Sequence, residues 1–441
     1  MLTAERSRPT GLAAFYAIVA TQTLSLIGSR MTSIAVGIWV FNDTGRTAPL
    51  LLTAFFLELP GMLGSSVAGV WVDRWDRRRV LMLSDAGQAL GTLLLLVSFW
   101  SGQFQLWHLY AIALLQGSFA TFQGPAKDAV TTLLVPERHR ERANGVQQMA
   151  FPLAGVVAPV LAGTAYAVVG ISGIILIDLT SFVVAVLALV AVRIPRPRPT
   201  EEGSAARGRM LQELRAGLRF LRGRVPLWYF VLYLTFITFL LNGPLELAIP
   251  YLIAVTGSAA AAGSLIGFGS LGALAGAGLI AVWGGTRPRT RTLLPGLLLT
   301  GLMFLVYAIA RTPLLLGVSM FLLFLPLPLS WALFTSIVQI KTPPDMQGRV
   351  FGLLAQLGFL ASTTSFLLTG PVVDRVLEPA VGSPAWHLFA PLFGQAPGAG
   401  MGLLLFVTGL TILGATFAVL AWPRVRRLEA TLPDYDAPAA N

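Results

Sequence analysis

The sequence of 441 residues contains no cysteine, only three histidines and only 12% charged residues. Without cysteine it can form no disulfide and offers no thiol nucleophile or thiolate metal ligand. The histidines (His108, His139 and His387) are too scattered to suggest a metal cluster. We therefore expect no metal and no other cofactor.

Apolar sequence is abundant: 55% of the residues are hydrophobic, and the mean hydropathy is +0.74. Soluble proteins carry about 25% charged residues, whereas this chain has repeated apolar runs of roughly 20 residues or more, long enough to cross a bilayer. We predict an all-α, multi-pass membrane protein with about twelve transmembrane helices. The predicted spans 1 to 12 are 12–40, 47–71, 80–101, 105–134, 144–168, 171–193, 226–255, 260–284, 292–311, 313–340, 350–376 and 401–422.

Basic residues are distributed unevenly between the two sides of this topology. Most of the 31 lysines and arginines fall in connections on one side, which the positive-inside rule assigns to the cytoplasm. We therefore predict a cytoplasmic (inner) bacterial membrane, with both termini cytoplasmic. This rule also accounts for the net charge of +11 without nucleic acid as a partner. Span 1 carries Arg30 and has no small-residue cleavage site, which indicates a retained span rather than a signal peptide.

The longest break in the apolar pattern divides the spans six and six. We predict an N-terminal half (1–193), a cytoplasmic linker (194–225), a C-terminal half (226–422) and a cytoplasmic tail (423–441). Basic loops recur at matching positions in the two halves, which indicates pseudo-symmetry of the secondary-transporter kind. The second part of the linker carries leucines at helical spacing among arginines, as expected for an amphipathic helix on an anionic inner leaflet. These leucines are Leu211, Leu214, Leu218 and Leu221.

The loop between spans 2 and 3 reads "GVWVDRWDRRRVL" (69–81). It resembles the loop motif of the major facilitator superfamily, and its Asp-Arg-x-Asp-Arg-Arg form is similar to the exporter branch of macrolide efflux proteins and enterobactin-type siderophore exporters. Trp71 replaces the usual leucine and Asp76 the usual second glycine. The matching residues are Gly69, Asp73, Arg74, Arg77 and Arg78. "LVPERHRERAN", "TPPDMQGRVFG" and "GPVVDRVLEP" (370–379) extend the resemblance along most of the chain.

The resemblance implies the major facilitator fold of two six-helix halves, and a conformational latch at this loop. Asp73 would cap the amide-rich start of span 11, while the arginines would pair with Asp76, Asp85 or lipid phosphates. The alternative is that the arginines only enforce topology. The latch candidates are Gly69, Asp73, Arg74, Arg77, Arg78, Asp85, Arg142, Gly348 and Arg349.

Span 5 contains "LAGVVAPVLAG" (153–163), a degraded form of the family's antiporter motif. Small residues at this spacing let helix backbones approach, and a proline bends the helix. In the family this motif accompanies export, although ordinary tight packing also explains it. The residues concerned are Ala154, Ala158, Pro159, Ala162 and Gly163.

Ionisable residues at bilayer depth are functional candidates. Arg30 and Glu58 lie at similar depths in adjacent spans, so we predict a pair that is either a static bridge or a proton-loading site. Asp128 faces the cavity or braces the loop arginines. The proton-coupling candidates are Arg30, Glu58, Asp128, Asp178 and Glu246. The family's cavity-lining spans 1, 4, 7 and 10 make Gln22, Asn242, Trp331 and Gln339 candidate substrate contacts. A break in span 7 is predicted at "NGP" (242–244), and a short interfacial helix within 377–400.

These features favour a secondary active transporter that exports a small organic molecule (a drug, siderophore or secondary metabolite) by alternating access, as a proton antiporter. A facilitator or importer without proton coupling is the alternative, followed by a polytopic receptor or enzyme. The sequence has no nucleotide-binding glycine loop and no paired carboxylates in an outer loop, so we predict no enzymatic activity. The expected partners are the small-molecule substrate, protons and anionic lipids of the inner leaflet, with the protein acting as a monomer.

Overall fold

The protein is seen in a computed structural model that describes residues 11–135, 140–192 and 217–435. The description leaves out the side chains of 65–74, 125, 128–129, 132–133, 140–145, 148, 152, 344–345 and 348. The described residues are helical over most of each predicted span and contain no strand. Nine of the described helices are long and apolar enough to cross a membrane. Predicted spans 5 and 6 share one of these nine helices, and predicted spans 2 and 4 are helices that are not among the nine. "Outer" and "inner" below refer to the orientation predicted from the arginine distribution.

Spans 1 to 6 are present close to their predicted positions. Spans 5 and 6 form one helical run that is interrupted at Gly170, where φ is 65° and ψ is −174°. Glycine tolerates this left-handed φ because it has no Cβ, and the break lies between the two predicted spans. The helices are Leu12–Thr44, Ala48–Arg74, Arg77–Trp100, Leu106–Leu134 and Arg140–Ala191.

Spans 7 to 12 are also present, and three of them are interrupted. Span 7 breaks at Leu247, three residues beyond Pro244, rather than at the predicted "NGP". Span 10 breaks at Leu325, because Pro326 supplies no backbone N–H to continue the ladder. Span 11 ends in a π-helical turn. The longer helices are Val225–Glu246, Ala248–Thr256, Ala259–Trp283, Thr290–Ile309, Pro313–Phe324, Pro326–Ile340, Pro344–Val372 and Ala399–Ala421. The shorter ones are Val373–Leu377, Glu378–Ala380, Pro384–Leu388, Ala390–Phe393, Pro423–Arg426 and Leu428–Thr431.

The described residues group into two compact units. One contains 11–36 and 56–192, and the other contains 37–55 and 217–435. This division differs from the predicted halves at one place: the outer ends of spans 1 and 2 group with the second unit. The reason is visible in the packing, because Leu51 of span 2 is 1% exposed and belongs to the hydrophobic cluster of the second unit.

The linker helix packs differently from the expectation. Residues 217–222 are helical, and Leu221 is fully buried in the cluster of the second unit rather than turned toward a lipid surface. Leu211 and Leu214 lie outside the described residues. The protein core therefore takes up at least one leucine that the pattern assigned to the membrane.

The segment 377–400 also differs from the single interfacial helix expected there. It forms three short helical segments, and Trp386 in the second of them is 2% exposed, with its Nε1 donating to the oxygen of Gly394 at 2.8 Å. A buried indole with a satisfied N–H is a packing residue.

The C-terminal segment 423–435 is fastened to the inner end of the second unit. The ammonium of Lys341 donates to the backbone oxygens of Glu429 at 2.5 Å and Leu432 at 2.6 Å, and it pairs with the carboxylate of Asp434 at 2.6 Å. The Lys341 side chain is only 3% exposed. A buried ammonium needs such partners, and these bonds hold the segment against Lys341.

Candidate functional site

A cavity of about 220 Å³ lies within the first unit, between spans 1, 3, 4 and 5. Its wall is largely apolar and includes two aromatic rings, Phe15 of span 1 and Phe151 of span 5. Five polar side chains interrupt this apolar wall. They are Gln22, Thr23, Lys127, Thr131 and Gln147. Such a mixture suits an amphipathic organic molecule, which is oriented by a few polar contacts.

A buried carboxylate stands behind the polar part of this wall. Asp85 of span 3 is 0% exposed and accepts hydrogen bonds from Gln22 Nε2 at 2.5 Å and from Gln123 Nε2 at 2.6 Å. The Gln123 amide also donates to Gln22 Oε1 at 3.3 Å. Spans 1, 3 and 4 therefore meet in one polar cluster, in which Gln22 faces both the carboxylate and the cavity.

A second polar contact closes the wall between spans 4 and 5. Thr131 donates its hydroxyl to the Gln147 side-chain oxygen at 2.9 Å. The same hydroxyl lies 2.9 Å from the backbone oxygen of Lys127, so its one hydrogen is shared between the two acceptors. The contact with Gln147 joins span 4, which carries Lys127, to span 5, which carries Phe151.

Asp178 of span 6 is the other described carboxylate buried in the first unit, at 1% exposure. It accepts hydrogen bonds from the hydroxyls of Ser29 at 3.0 Å and Thr92 at 3.3 Å. Gln116 in turn donates to the Thr92 hydroxyl at 3.2 Å. A Cβ at Gly28 would lie 3.0 Å from the Asp178 carboxylate, so this glycine lets span 1 approach span 6 closely.

The predicted antiporter motif lies against span 1. Ala154, Ala158 and Ala162 are all 0% exposed, and Pro159 and Gly163 are buried as well. Two of the alanines pack with Met31 and Ala35 of span 1 and Ile174 of span 6. The small residues bring the outer parts of three helices together, and their role in export stays a prediction.

Two predicted latch residues have partners other than those expected. Asp85 binds the two glutamines rather than the loop arginines. Arg78 donates to the backbone oxygens of Leu189 at 2.8 Å and Val190 at 2.6 Å, at the end of span 6. A guanidinium satisfies the unpaired carbonyls of a helix C-terminus and is favoured there by the helix dipole.

The remaining latch residues divide into those with and without described side chains. Arg77 is half-buried, and Arg349 is exposed, with its guanidinium 3.4 Å from the sulfur of Met346. The latch itself stays a prediction. The side chains of Asp73, Arg74 and Arg142 and the surroundings of Gly69 and Gly348 lie outside the description.

The other predicted intramembrane residues are spread over both units. In the first unit Arg30 lies over the Phe151 ring, 4.0 Å from its centroid, and Glu58 is half-buried. Their pairing stays a prediction, and the Asp128 side chain is outside the description. Glu246 in the second unit is exposed.

Of the predicted substrate contacts, Gln22 lines the cavity, and the other three belong to the second unit. The Asn242 amide donates to its own helix at the oxygen of Thr238, at 2.8 Å. Trp331 is 63% exposed and packs on Phe334, and Gln339 is exposed.

Sequence reasoning missed the role of Asp85, Gln123 and Gln147 at the cavity. A signal for Asp85 existed, because a carboxylate inside the predicted apolar span 3 is costly unless partnered and is therefore a functional candidate. Its proximity in sequence to the loop arginines directed the interpretation toward the loop instead.

Comparison with known proteins gives a consistent result. A family model described as the Major Facilitator Superfamily matches residues 18–366. The chain is 27% identical over 382 residues to macrolide efflux protein A of Streptococcus pyogenes, which covers 82% of this chain and 90% of that protein. It is 26% identical over 385 residues to the multidrug efflux pump Tap of Mycobacterium tuberculosis (strain CDC 1551 / Oshkosh), covering 82% and 87%.

Two solved structures are similar to this chain over nearly its whole length. One is a bacterial homolog of the human lysosomal transporter Spinster, in an inward-facing and unoccupied conformation, with a TM-score of 0.68, 15% identity and coverage of 95% of this chain and 97% of that one. The other is the nucleoside transporter NupG, with a TM-score of 0.70, 12% identity and coverage of 93% and 100%. At these identities the likeness shows the fold alone.

Proposed function

The chain belongs to the major facilitator superfamily, and from that premise we propose that it exports a bulky or amphipathic organic molecule in exchange for protons. Membership confirms the predicted fold and the prediction of a transporter rather than an enzyme. The two efflux relatives support export over uptake or facilitated diffusion. A bacterial inner membrane with both termini cytoplasmic, as the arginine distribution predicts, is part of this proposal.

The observation that carries the proposal is the position of Gln22 between the cavity and the buried carboxylate of Asp85. An ionised carboxylate only accepts hydrogen bonds, and here it accepts them from the amides of Gln22 and Gln123. A protonated carboxyl group also donates, so one of the two amides must turn its oxygen toward it. When the amide that turns is that of Gln22, protonation exchanges the donor and the acceptor that Gln22 presents to its other neighbours, the cavity included.

This change links the proton to the substrate. A substrate whose polar groups match Gln22 in one orientation binds with Asp85 ionised, and protonation then favours its release. Lys127 and Thr131 of span 4 provide further polar contacts in the cavity wall. The cavity is smaller than the roughly 300–1,000 Å³ of sites for drug-sized ligands, so it accommodates part of a molecule as large as a macrolide.

Inside-out vesicles with an acidic lumen and a lumenal pH dye test the proposal. Erythromycin, ethidium and a catecholate siderophore are added separately, and uptake of the radiolabelled compound is followed in parallel. We expect protein-dependent uptake with alkalinisation of the lumen, and loss of at least about tenfold in the proton flux of Asp85→Asn, the equivalent of 1.4 kcal/mol. Asp43→Asn, which changes an exposed carboxylate at the outer end of span 1, is the matched control and retains the flux.

Two results would contradict parts of the proposal. Uptake with an unchanged lumenal pH would exclude proton coupling and favour a facilitator or another coupling ion. No uptake of any of the three compounds by folded protein would contradict the proposed substrate class.

A further inference from the structure

A six-residue pattern occurs twice in the chain, at the ends of two different spans. Residues 69–74 read "GVWVDR" and residues 370–375 read "GPVVDR". The first lies where the helix of span 2 ends at Arg74, and the second where the α-helix of span 11 ends at Val372 and continues as a π-helical turn. In both, glycine precedes aspartate by four residues, close to one helical turn.

The second copy has a defined set of partners at the outer end of span 2. The Asp374 carboxylate accepts hydrogen bonds from the N–H of Thr47 at 2.9 Å, the hydroxyl of Thr47 at 2.8 Å and the N–H of Ala48 at 2.7 Å. Span 2 begins at Ala48, so these N–H groups are among those that lack a partner within the helix. A helix N-terminus also favours a negative charge. Asp374 therefore caps span 2 from another helix.

Gly370 brings the two helices into contact at the same place. A Cβ at this position would lie 2.6 Å from the Cα of Ala48, closer than two carbon atoms can approach. The glycine and the aspartate of the second copy thus act on one target, the first residues of span 2. All of these residues belong to the second compact unit.

We propose that Gly370 and Asp374 form an outer latch between spans 11 and 2, the counterpart of the inner latch expected from Gly69 and Asp73. Each of the two helices ends in the pattern. Asp374 binds the first residues of span 2, and Asp73 is expected to bind the first residues of span 11. The outer ends of these spans can separate only after the bonds to Asp374 break. The latch thus opposes outward opening of the transporter. This inference rests on the alternating-access cycle of the proposed function.

Glu378 provides a matched control within the same segment. Its carboxylate accepts hydrogen bonds from the N–H groups of Gly398 at 3.3 Å and Met401 at 2.9 Å, where span 12 begins. It is an outer carboxylate at a helix N-terminus, like Asp374, but it links span 11 to span 12 instead of span 2. Removing its charge should not release span 2.

The absence of cysteine allows a direct test by labelling. Leu51→Cys introduces a reporter one turn into span 2, at a position that is 1% exposed. A membrane-impermeant maleimide is added to right-side-out vesicles, and the labelling rate reports opening from the outside. We expect Asp374→Asn to raise this rate about tenfold through the loss of charge-assisted hydrogen bonds. Glu378→Gln should leave the rate within about twofold, because the bonds of Glu378 do not reach span 2.

Two further variants keep the test informative if Asp374→Asn folds poorly. Thr47→Ala removes only the hydroxyl donor, so we expect a smaller rise in the labelling of Leu51→Cys, by about threefold for one hydrogen bond. Asp73→Asn should change the rate in the opposite direction, because it weakens the latch expected at the inner end. Folding of each variant is checked by size-exclusion chromatography in detergent.

Unchanged labelling in Asp374→Asn and Thr47→Ala, or an equal rise in Glu378→Gln, would overturn the outer latch. The assay needs no substrate and no proton gradient. Its result is therefore independent of the vesicle transport assay. The labelling pattern can appear when no transport is detected, and transport can be detected when the labelling pattern is absent.

Discussion

The proposed mechanism assumes that Asp85 is ionised and is held by two amides. The free energy of the contact between Gln123 and Asp85 tests this assumption. The perturbation is a double-mutant cycle of Gln123→Leu and Asp85→Asn. At 2.6 Å between Nε2 and Oδ1, with Asp85 fully buried, the hydrogen bond is short and shielded from water. The cycle separates the pairwise interaction from the other effects of each change.

The expected magnitude follows from the charge of the acceptor. A hydrogen bond to a charged group contributes about 1.5–3 kcal/mol and one between neutral groups about 0.5–1.5 kcal/mol. Gln123→Leu should therefore lower the free energy of unfolding by about 2 kcal/mol in the parent protein and by about 1 kcal/mol in the Asp85→Asn background. The coupling of about 1 kcal/mol exceeds the roughly 0.3–0.5 kcal/mol within which independent changes add.

The assay is denaturant unfolding of the purified protein in detergent micelles at neutral pH, followed by tryptophan fluorescence. Gln103→Leu, in the exposed outer connection between spans 3 and 4, is the matched control, and we expect a change within about 0.5 kcal/mol. A Gln123→Leu effect that is identical in both backgrounds would refute an ionised Asp85 as the acceptor. The proton-coupling mechanism would then lose its structural basis.

Two further substitutions test the packing of the second unit. Lys341→Met removes the ammonium that binds residues 429–434. Because charge-assisted bonds contribute about 1.5–3 kcal/mol each, we expect carboxypeptidase to digest this segment at least about tenfold faster. Arg424→Met, which changes an exposed arginine in the same segment, should not change the rate of digestion. Gly276→Ala places a Cβ 1.9 Å from a backbone oxygen of the broken span 10, and we expect a loss of about 1–3 kcal/mol in unfolding free energy. Gly278→Ala in the same helix has open space and should be neutral or stabilising. Equal effects of the two alanines on denaturant unfolding would contradict this packing.

The identity of the chain as a twelve-span transporter could be derived from the sequence, because the features that carry it are local. A run of about 20 apolar residues crosses a bilayer whichever helices surround it. The interruption at Gly170 was predictable for the same reason, since a glycine between two apolar runs permits a backbone conformation that other residues avoid. The motif of the charged loop is also contiguous in sequence.

The partners of the polar groups depended on the tertiary structure. Asp85 follows a run of arginines in the sequence, yet helix rotation turns it toward Gln22 and Gln123, which lie 63 and 38 residues away. Leu221 belongs to an amphipathic pattern that fits a membrane surface, and it packs into a protein core instead. An amphipathic face specifies that burial occurs, but not against which surface.

Composition and hydropathy therefore determined the membrane class and the number of spans of this protein, and the motif of the charged loop indicated its family. Only the tertiary structure decided that Asp85 belongs to the cavity wall and that Asp374 caps the helix beginning at Ala48, 326 residues away. Burying an apolar span lowers its free energy against lipid or protein alike, so hydrophobicity is readable from one segment. A buried carboxylate instead needs particular donors at hydrogen-bond distance, and these come from whichever helices the fold brings beside it.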